Sequence, residues 1–139
     1  MKIIMYHYVR DYNKTDYPKI KGIDINNFKN QIKFLHKNYN ILNPFEIHEN
    51  IKKKNSLSEN DCWLTFDDGY IDHYDYVLPV LRENKIKASF YPPVISATHN
   101  NILDPTKIHY ILSVVDDKKF IFDHIKNSYL EFYETKDEE

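Results

Sequence analysis

The sequence predicts an α/β protein with parallel strands and flanking helices, and three patterns carry that expectation. Two short apolar runs, 61–67 and 86–91, bracket a stretch in which Tyr74, Val77, Leu78 and Leu81 recur at helical steps. Strand, helix and strand within about thirty residues make a βαβ unit, whose right-handed crossover sets its two strands parallel. Earlier in the chain, Ile25, Phe28, Ile32 and Leu35 mark one face of a helix, and a second helix entrance follows at Asn43-Pro44.

Taken in order, residues 2–8 form an apolar and aromatic run with strand propensity, and Arg10 leads into a polar stretch over 11–21 that reads as a surface loop. Asp24 is placed to cap the first helix, which ends near Lys37 and Asn38. Residues 39–42 make a brief strand. Asn43-Pro44-Phe45-Glu46 then combines a cap, a proline at the first helical position and an acid in the first turn, opening a helix to about Lys53. The polar residues 52–60, including the solvated run Lys52-Lys53-Lys54, deliver the chain to the central strand at 61–67.

After Gly69 comes the helix carrying Tyr74, Val77, Leu78 and Leu81, with Pro79 kinking it or lying on its outer side. Pro92 and Pro93 close the strand at 86–91, since neither can donate a ladder hydrogen bond, and 94–103 reads as a loop. Asp104-Pro105 restarts a helix whose expected buried face is Ile108, Ile111, Leu112 and Val115. A last helix from Lys118 carries Phe120, Ile121, Ile125, Tyr129 and Phe132, and the charged end at 136–139 is expected to be solvated.

Composition narrows the function classes. A length of 139 residues suits one domain, and 42% hydrophobic with 15% aromatic residues is ample for a core. A net charge of −2, from 19 basic and 21 acidic residues interspersed, leaves no electrostatic footprint for nucleic acid or for an anionic membrane, so neither is expected as a partner. The single cysteine, Cys62, excludes an internal disulfide and reads as a buried strand thiol in a reducing compartment. No apolar run reaches membrane-spanning length and the first residues do not form a signal-peptide core, so the expected location is the cytoplasm.

The chemistry concentrates at Thr65-Phe66-Asp67-Asp68-Gly69-Tyr70, where an apolar strand runs into two adjacent carboxylates and then a glycine. Ligands of α/β sheets gather at the carboxyl ends of strands, and two neighbouring acids can divide the work of holding a cation and moving a proton. On its own, an Asp-Asp-Gly is as readily a helix cap. A rival class, phosphotransferases with an aspartyl nucleophile in Asp-x-Asp-Gly, lacks its nucleophile here, because Phe66 stands two before Asp68.

The same six residues resemble the first motif of the NodB-type polysaccharide deacetylases, carbohydrate esterase family 4, with Met5-Tyr6-His7 and Ala88-Ser89-Phe90-Tyr91 as flanking matches. The resemblance implies a partial, irregular (β/α) barrel that removes N-acetyl groups from carbohydrate by metal-activated water. Asp67 falls where the family has its catalytic base and Asp68 where it has a metal ligand. The cofactor so implied is a divalent metal, zinc foremost, held weakly or not at all by this chain alone.

The family completes its metal site with a His-Ser/Thr-x-x-His pair, and the seven histidines here, His7, His36, His48, His73, His99, His109 and His124, contain none. His73, near the acid pair, is the candidate second ligand, and His7 is placed to assist. The family's Arg-x-Pro motif and later strands are also missing. The resemblance therefore implies one domain over residues 1–139, cut short on its C-terminal side. Two outcomes for the open sheet are expected: a partner chain completing the barrel, or the two C-terminal helices covering the gap. The alternative to a deacetylase is a non-catalytic carbohydrate-binding remnant, or a subunit whose partner supplies the histidines. The 12 tyrosines and 8 phenylalanines are mostly core, with some able to stack on a sugar ring.

Overall fold

Strand β5, Asp61–Asp67, is the axis of the computed structural model, which describes residues 1–99 and 101–134. Strand β1, Lys2–Tyr6, lies parallel along one side of it, from Lys2 opposite Cys62 to Tyr6 opposite Phe66. The other side is shared. Strand β4, Asn40–Ile41, pairs with the beginning of β5, and β6, Ser89–Tyr91, pairs with its end, setting Asp67 opposite Tyr91. All four strands are parallel, and no closed barrel forms among the described residues. A second parallel pair joins β2, Val9–Arg10, to β3, Ile23–Asp24.

Alternation along β5 divides its side chains between two faces. Cys62, Leu64 and Phe66 are fully buried and build the core with Tyr6, Val9, Phe28, Ile32, Leu35, Val77, Val80 and Leu81. Helix α1, Ile25–Asn38, supplies Phe28, Ile32 and Leu35 at the expected spacing, and Asp24 caps it by accepting from the amides of Asn26 and Asn27. Helix α2, Pro44–Lys52, opens with the expected capping box between Asn43 and Glu46. On the opposite face of the sheet, Ile3 and Met5 remain 58% and 57% exposed beside Trp63 and Thr65.

The crossover after β5 starts as a π-helical turn, His73–Val77, and continues as α3, Leu78–Glu83. Leu78 donates its amide to the His73 carbonyl, the five-residue step of a π turn, and Pro79 follows near the start of α3. A proline has no amide to contribute there, so the change of helix type accommodates it without breaking the crossover. The segment expected as a loop at 94–103 holds a short helix, α4, Val94–His99. Strands β2 and β3 are too short for a periodic signal and were not expected.

The C-terminal helices depart most from expectation. Helix α5, Asp104–Val114, turns Thr106, Tyr110 and Ser113 inward and leaves Ile108, Ile111 and Leu112 exposed, the reverse of the expected face. The surface beneath it explains the reversal. Tyr8, Tyr17 and Tyr70 present rings and hydroxyls there, and Tyr17 meets Tyr110 edge-on at 4.5 Å while Tyr8 shares a hydrogen bond with His109. Helix α6, Lys118–Glu134, also keeps its large apolar side chains exposed. The bare sheet face is therefore covered by neither helix, against that part of the expectation. The tail at 136–139 lies outside the described residues.

His73 belongs to this core. It is 4% exposed, its ring meets Phe66 edge-on at 5.5 Å, and its Nε2 donates to the His7 carbonyl at 2.6 Å. Nδ1 is buried with no hydrogen-bond partner. Burial lowers the pKa of His73 from its ordinary 6.5, outweighing the His7 carbonyl and the nearby Asp72 and Asp68. The folded state thus keeps His73 neutral where an unfolded chain would take up a proton. Its contribution to stability is complete above pH 6.5 and is lost as pH falls from there toward the lower folded value. Urea unfolding followed through Trp63 fluorescence should show this loss between near-neutral and mildly acidic pH. His73→Gln should lose less over the same interval, and an equal loss would exclude His73 as the source.

Gly69 gives a second check. Its φ is +64°, and a Cβ there would stand 2.7 Å from Pro92 Cβ and 3.1 Å from Pro92 Cα. Gly69→Ala combines a left-handed backbone cost of about 1–2 kcal/mol with that overlap, so the unfolding free energy should fall by at least that much, read as a lower urea midpoint at an unchanged slope.

Candidate active site

The chain leaves β5 through two consecutive left-handed residues, Asp68 at φ 70° and Gly69 at φ 64°. Aspartate tolerates this region better than most side chains, because its short polar arm can bond locally. The local bond here is unusual in direction: Tyr70, two residues on, donates its hydroxyl to Asp68 Oδ2 at 2.9 Å. Burial pushes the Tyr70 phenol well above its usual pKa, so it remains a donor. Having spent its proton on Asp68, Tyr70 accepts from Thr106 Oγ1 at 3.2 Å, and Thr106 sits in the first turn of α5. The Tyr70 ring stacks on Tyr8 with centroids 4.0 Å apart, and the Tyr8 hydroxyl shares a 3.2 Å hydrogen bond with His109 Nδ1.

A cleft of about 240 Å³ opens at Asp68, lined also by Tyr70, Ser96, Asn101, Ile102, Leu103 and Thr106. Asp67 is displaced from this cleft by strand alternation. It shares the face of Trp63 and Thr65, at the carboxyl end of β5 beside Tyr91 of β6. The acid pair therefore straddles the strand end, with one carboxylate toward the bare face of the sheet and the other in the cleft under α5.

Behind the turn, Arg10 Nε donates to Asp72 Oδ2 at 2.7 Å in a buried ion pair that ties β2 to the crossover. The Arg10 guanidinium lies over the Tyr8 ring at 4.6 Å from its centroid. This pair and the Tyr8–Tyr70–Thr106 contacts were not found from sequence. The available signals were an arginine directly after an apolar run and an acid five residues past Asp67. Neither signal identifies its partner, because the pairing spans 62 positions of chain.

The donor set falls short of a complete metal site. Among the described residues, no group of three His, Cys, Asp or Glu side chains could hold an ion. Asp68 already accepts from Tyr70, and His73 has given Nε2 to the His7 carbonyl, leaving only a buried Nδ1. The His7 side chain is exposed, and its contribution to the site is through its backbone carbonyl. Since a zinc site takes three or four protein ligands, these residues alone do not make one.

Three comparisons bear on this geometry. The family model for polysaccharide deacetylase matches residues 54–106, which span the acid pair, the crossover and β6. YxkH of Bacillus subtilis (strain 168), named as a polysaccharide deacetylase, is 34% identical over 92 residues, 66% of this chain and 31% of its own length. The chain thus spans about a third of that relative. Among solved structures, a de-N-acetylase from Aggregatibacter actinomycetemcomitans superposes with a TM-score of 0.53 at 28% identity, covering 65% of this chain and 36% of that one. The Streptococcus pyogenes deacetylase PplD in complex with acetate gives a TM-score of 0.53 at 21% identity, over 78% of this chain and 50% of that one. IcaB from Ammonifex degensii gives 0.51 at 24% identity, over 65% and 37%. These last two likenesses are of fold alone. Family model, relative and fold converge on one likeness: residues 54–106 match the polysaccharide deacetylase family, and the chain is similar to part of such a protein.

Proposed function

We propose that the chain supplies the acid pair of a carbohydrate N-deacetylase site, with Asp67 as general base and Asp68 as a metal-binding carboxylate. The observation that carries this reading is the placement of Asp67 and Asp68 at the carboxyl end of β5, inside the stretch matched by the family model. Asp67 accepts the proton of the attacking water as its oxygen bonds to the acetamide carbon. The C–N bond then breaks as the proton drawn from that water passes to the departing amine, and acetate is released. A positioned carboxylate contributes about 10²–10⁴-fold to such a step.

The remaining metal ligands, and the strands that would close the sheet, are assigned in this reading to a partner chain or to further polypeptide. His73 lies near enough to the acid pair for the Asp68 charge to act on its ring, and it reaches an ion only if Nδ1 is uncovered. The substrate is an N-acetylated carbohydrate. Trp63 and Tyr91, on the face that Asp67 shares, offer rings for a sugar to stack on. A buried thiol at Cys62 suits a reducing compartment, so we place the chain in the cytoplasm. No helix of the described residues is long and apolar enough to cross a membrane.

A second reading, sugar binding without turnover, is favoured by the incomplete donor set. Acetate release from an N-acetylglucosamine oligomer with added zinc separates the two: turnover supports the first, while oligomer binding without acetate supports the second. In the completed enzyme, Asp67→Asn should lower acetate release by about 10²–10⁴-fold with zinc affinity retained. Asp68→Asn should weaken zinc binding in calorimetric titration as well. Equal zinc affinity in the two variants would refute the division of roles.

A further inference from the structure

Helix α1 shows solvent two stripes of unlike chemistry. Lys29, Lys33 and Lys37 recur at steps of four along one of them, as on an ordinary solvated face. Asn27, Asn30, Gln31 and Phe34, spaced to share one side of the helix, make the other, and it carries no charge. This neutral stripe is one wall of a groove of about 700 Å³, and Tyr12 and the chain from Gly22 to Asp24 supply the rest. The volume falls within the range of ligand sites, about 300–1,000 Å³.

The groove is firm, and most of its polar groups are unspent. Tyr12 donates its hydroxyl to the Ile20 carbonyl at 3.2 Å and accepts the Gly22 amide at 2.8 Å, so its ring is held in place. Gln31 is oriented by the Tyr6 hydroxyl, which donates to Oε1 at 3.0 Å and leaves the amide nitrogen as a free donor. Tyr6 is itself packed on Phe28 and Phe66. Among the described residues, the side-chain amides of Asn27 and Asn30 bond to nothing, and the Phe34 ring is 58% exposed. The single charge in the lining, Asp24, has its Oδ1 committed to the cap of α1. A side-chain amide offers donor and acceptor together, the complement of a sugar hydroxyl, and a ring face accepts the C–H face of a pyranose. A charged ligand would find almost nothing here to answer it.

We propose that this groove is a second carbohydrate site, holding an uncharged oligosaccharide apart from the acid pair. The amides of Asn27, Asn30 and Gln31 bond its hydroxyls, and the rings of Phe34 and Tyr12 stack on its sugars. None of these residues lines the cleft at Asp68. The chemistry of the groove selects an uncharged, hydroxyl-rich chain, and the choice of an N-acetylated one rests on the deacetylase reading. A polymer held in the groove raises the local concentration of its own neighbouring units at the acid pair, with no new contact there.

Titration of the full chain with the N-acetylglucosamine tetramer tests it, followed by nuclear magnetic resonance at the side-chain amides of Asn27, Asn30 and Gln31. These signals should shift together and saturate. Phe34→Ala should raise the groove's dissociation constant about three- to tenfold, and Asn27→Ala with Asn30→Ala should raise it about tenfold. All three side chains are exposed, so the circular dichroism should be kept. Asp67→Asn with Asp68→Asn should leave groove affinity unchanged. Groove binding without acetate release would count against the catalytic reading and support this one, whereas shifts confined to Asp68 and Tyr70 would do the reverse. Amide signals that stay still, an affinity indifferent to Phe34→Ala, or an equal response to tetraglycine would overturn the proposal.

Discussion

The two-faced character of β5 is the constraint on which the rest of the structure depends. Cys62, Leu64 and Phe66 are driven to one side by the apolar area they bury against α1 and α3. Register then leaves no choice for the other residues: a one-place slip would put Trp63, Thr65 and Asp67 in the core and expose Leu64 and Phe66. Burial of a leucine and a phenylalanine thus fixes the direction of a carboxylate. Because β1 runs along one side while β4 and β6 divide the other, the strand is pinned from end to end, and Asp67 emerges where pairing with β6 stops.

Asp68 is placed by a different means. Backbone alternation would have sent it into the core beyond Phe66, and the left-handed pair at Asp68 and Gly69 diverts it into the cleft instead. That diversion depends on Gly69 lying against Pro92, where there is no room for a side chain. It is also held from above, since Tyr70 joins Asp68 to Thr106 and the stacked Tyr8 ring keeps Tyr70 in place. Helix α5 is therefore tied to the acid pair by polar contacts, which accounts for its inward polar stripe. An apolar face laid there would take His109 from the Tyr8 hydroxyl and Thr106 from the Tyr70 hydroxyl, at about 0.5–1.5 kcal/mol for each hydrogen bond lost.

Much of this was legible in the sequence wherever the signal was local. The cap at Asp24, the capping box at Asn43, the bounds of β5 and the acid pair at its end all depend on residues within a few positions of one another. The lost features are those in which distant residues decide the outcome. Periodicity reports that α5 has an apolar stripe but not which way it faces, and the direction is set by three tyrosines in other segments. Likewise the Arg10–Asp72 pair and the placement of His73 behind the turn are facts of packing. A histidine six residues past Asp67 was close enough in sequence to be a ligand candidate, yet its Nε2 is engaged with a carbonyl of the first strand's exit.

The same division between local and distant forces bears on the bare sheet face. Ile3 and Met5 sit on an outer strand of a parallel sheet, and parallel sheets ordinarily have both faces covered. Neither α5 nor α6 can serve. The first is committed to the surface of Tyr8, Tyr17 and Tyr70, and the second keeps its large apolar side chains exposed. A strand face of alternating Ile3, Met5 and Trp63 is broad and flat and is matched by the wide apolar face of a globular helix. The uncovered sheet face thus asks for a layer that completes the α/β fold, a demand separate from the polar contacts that hold α5.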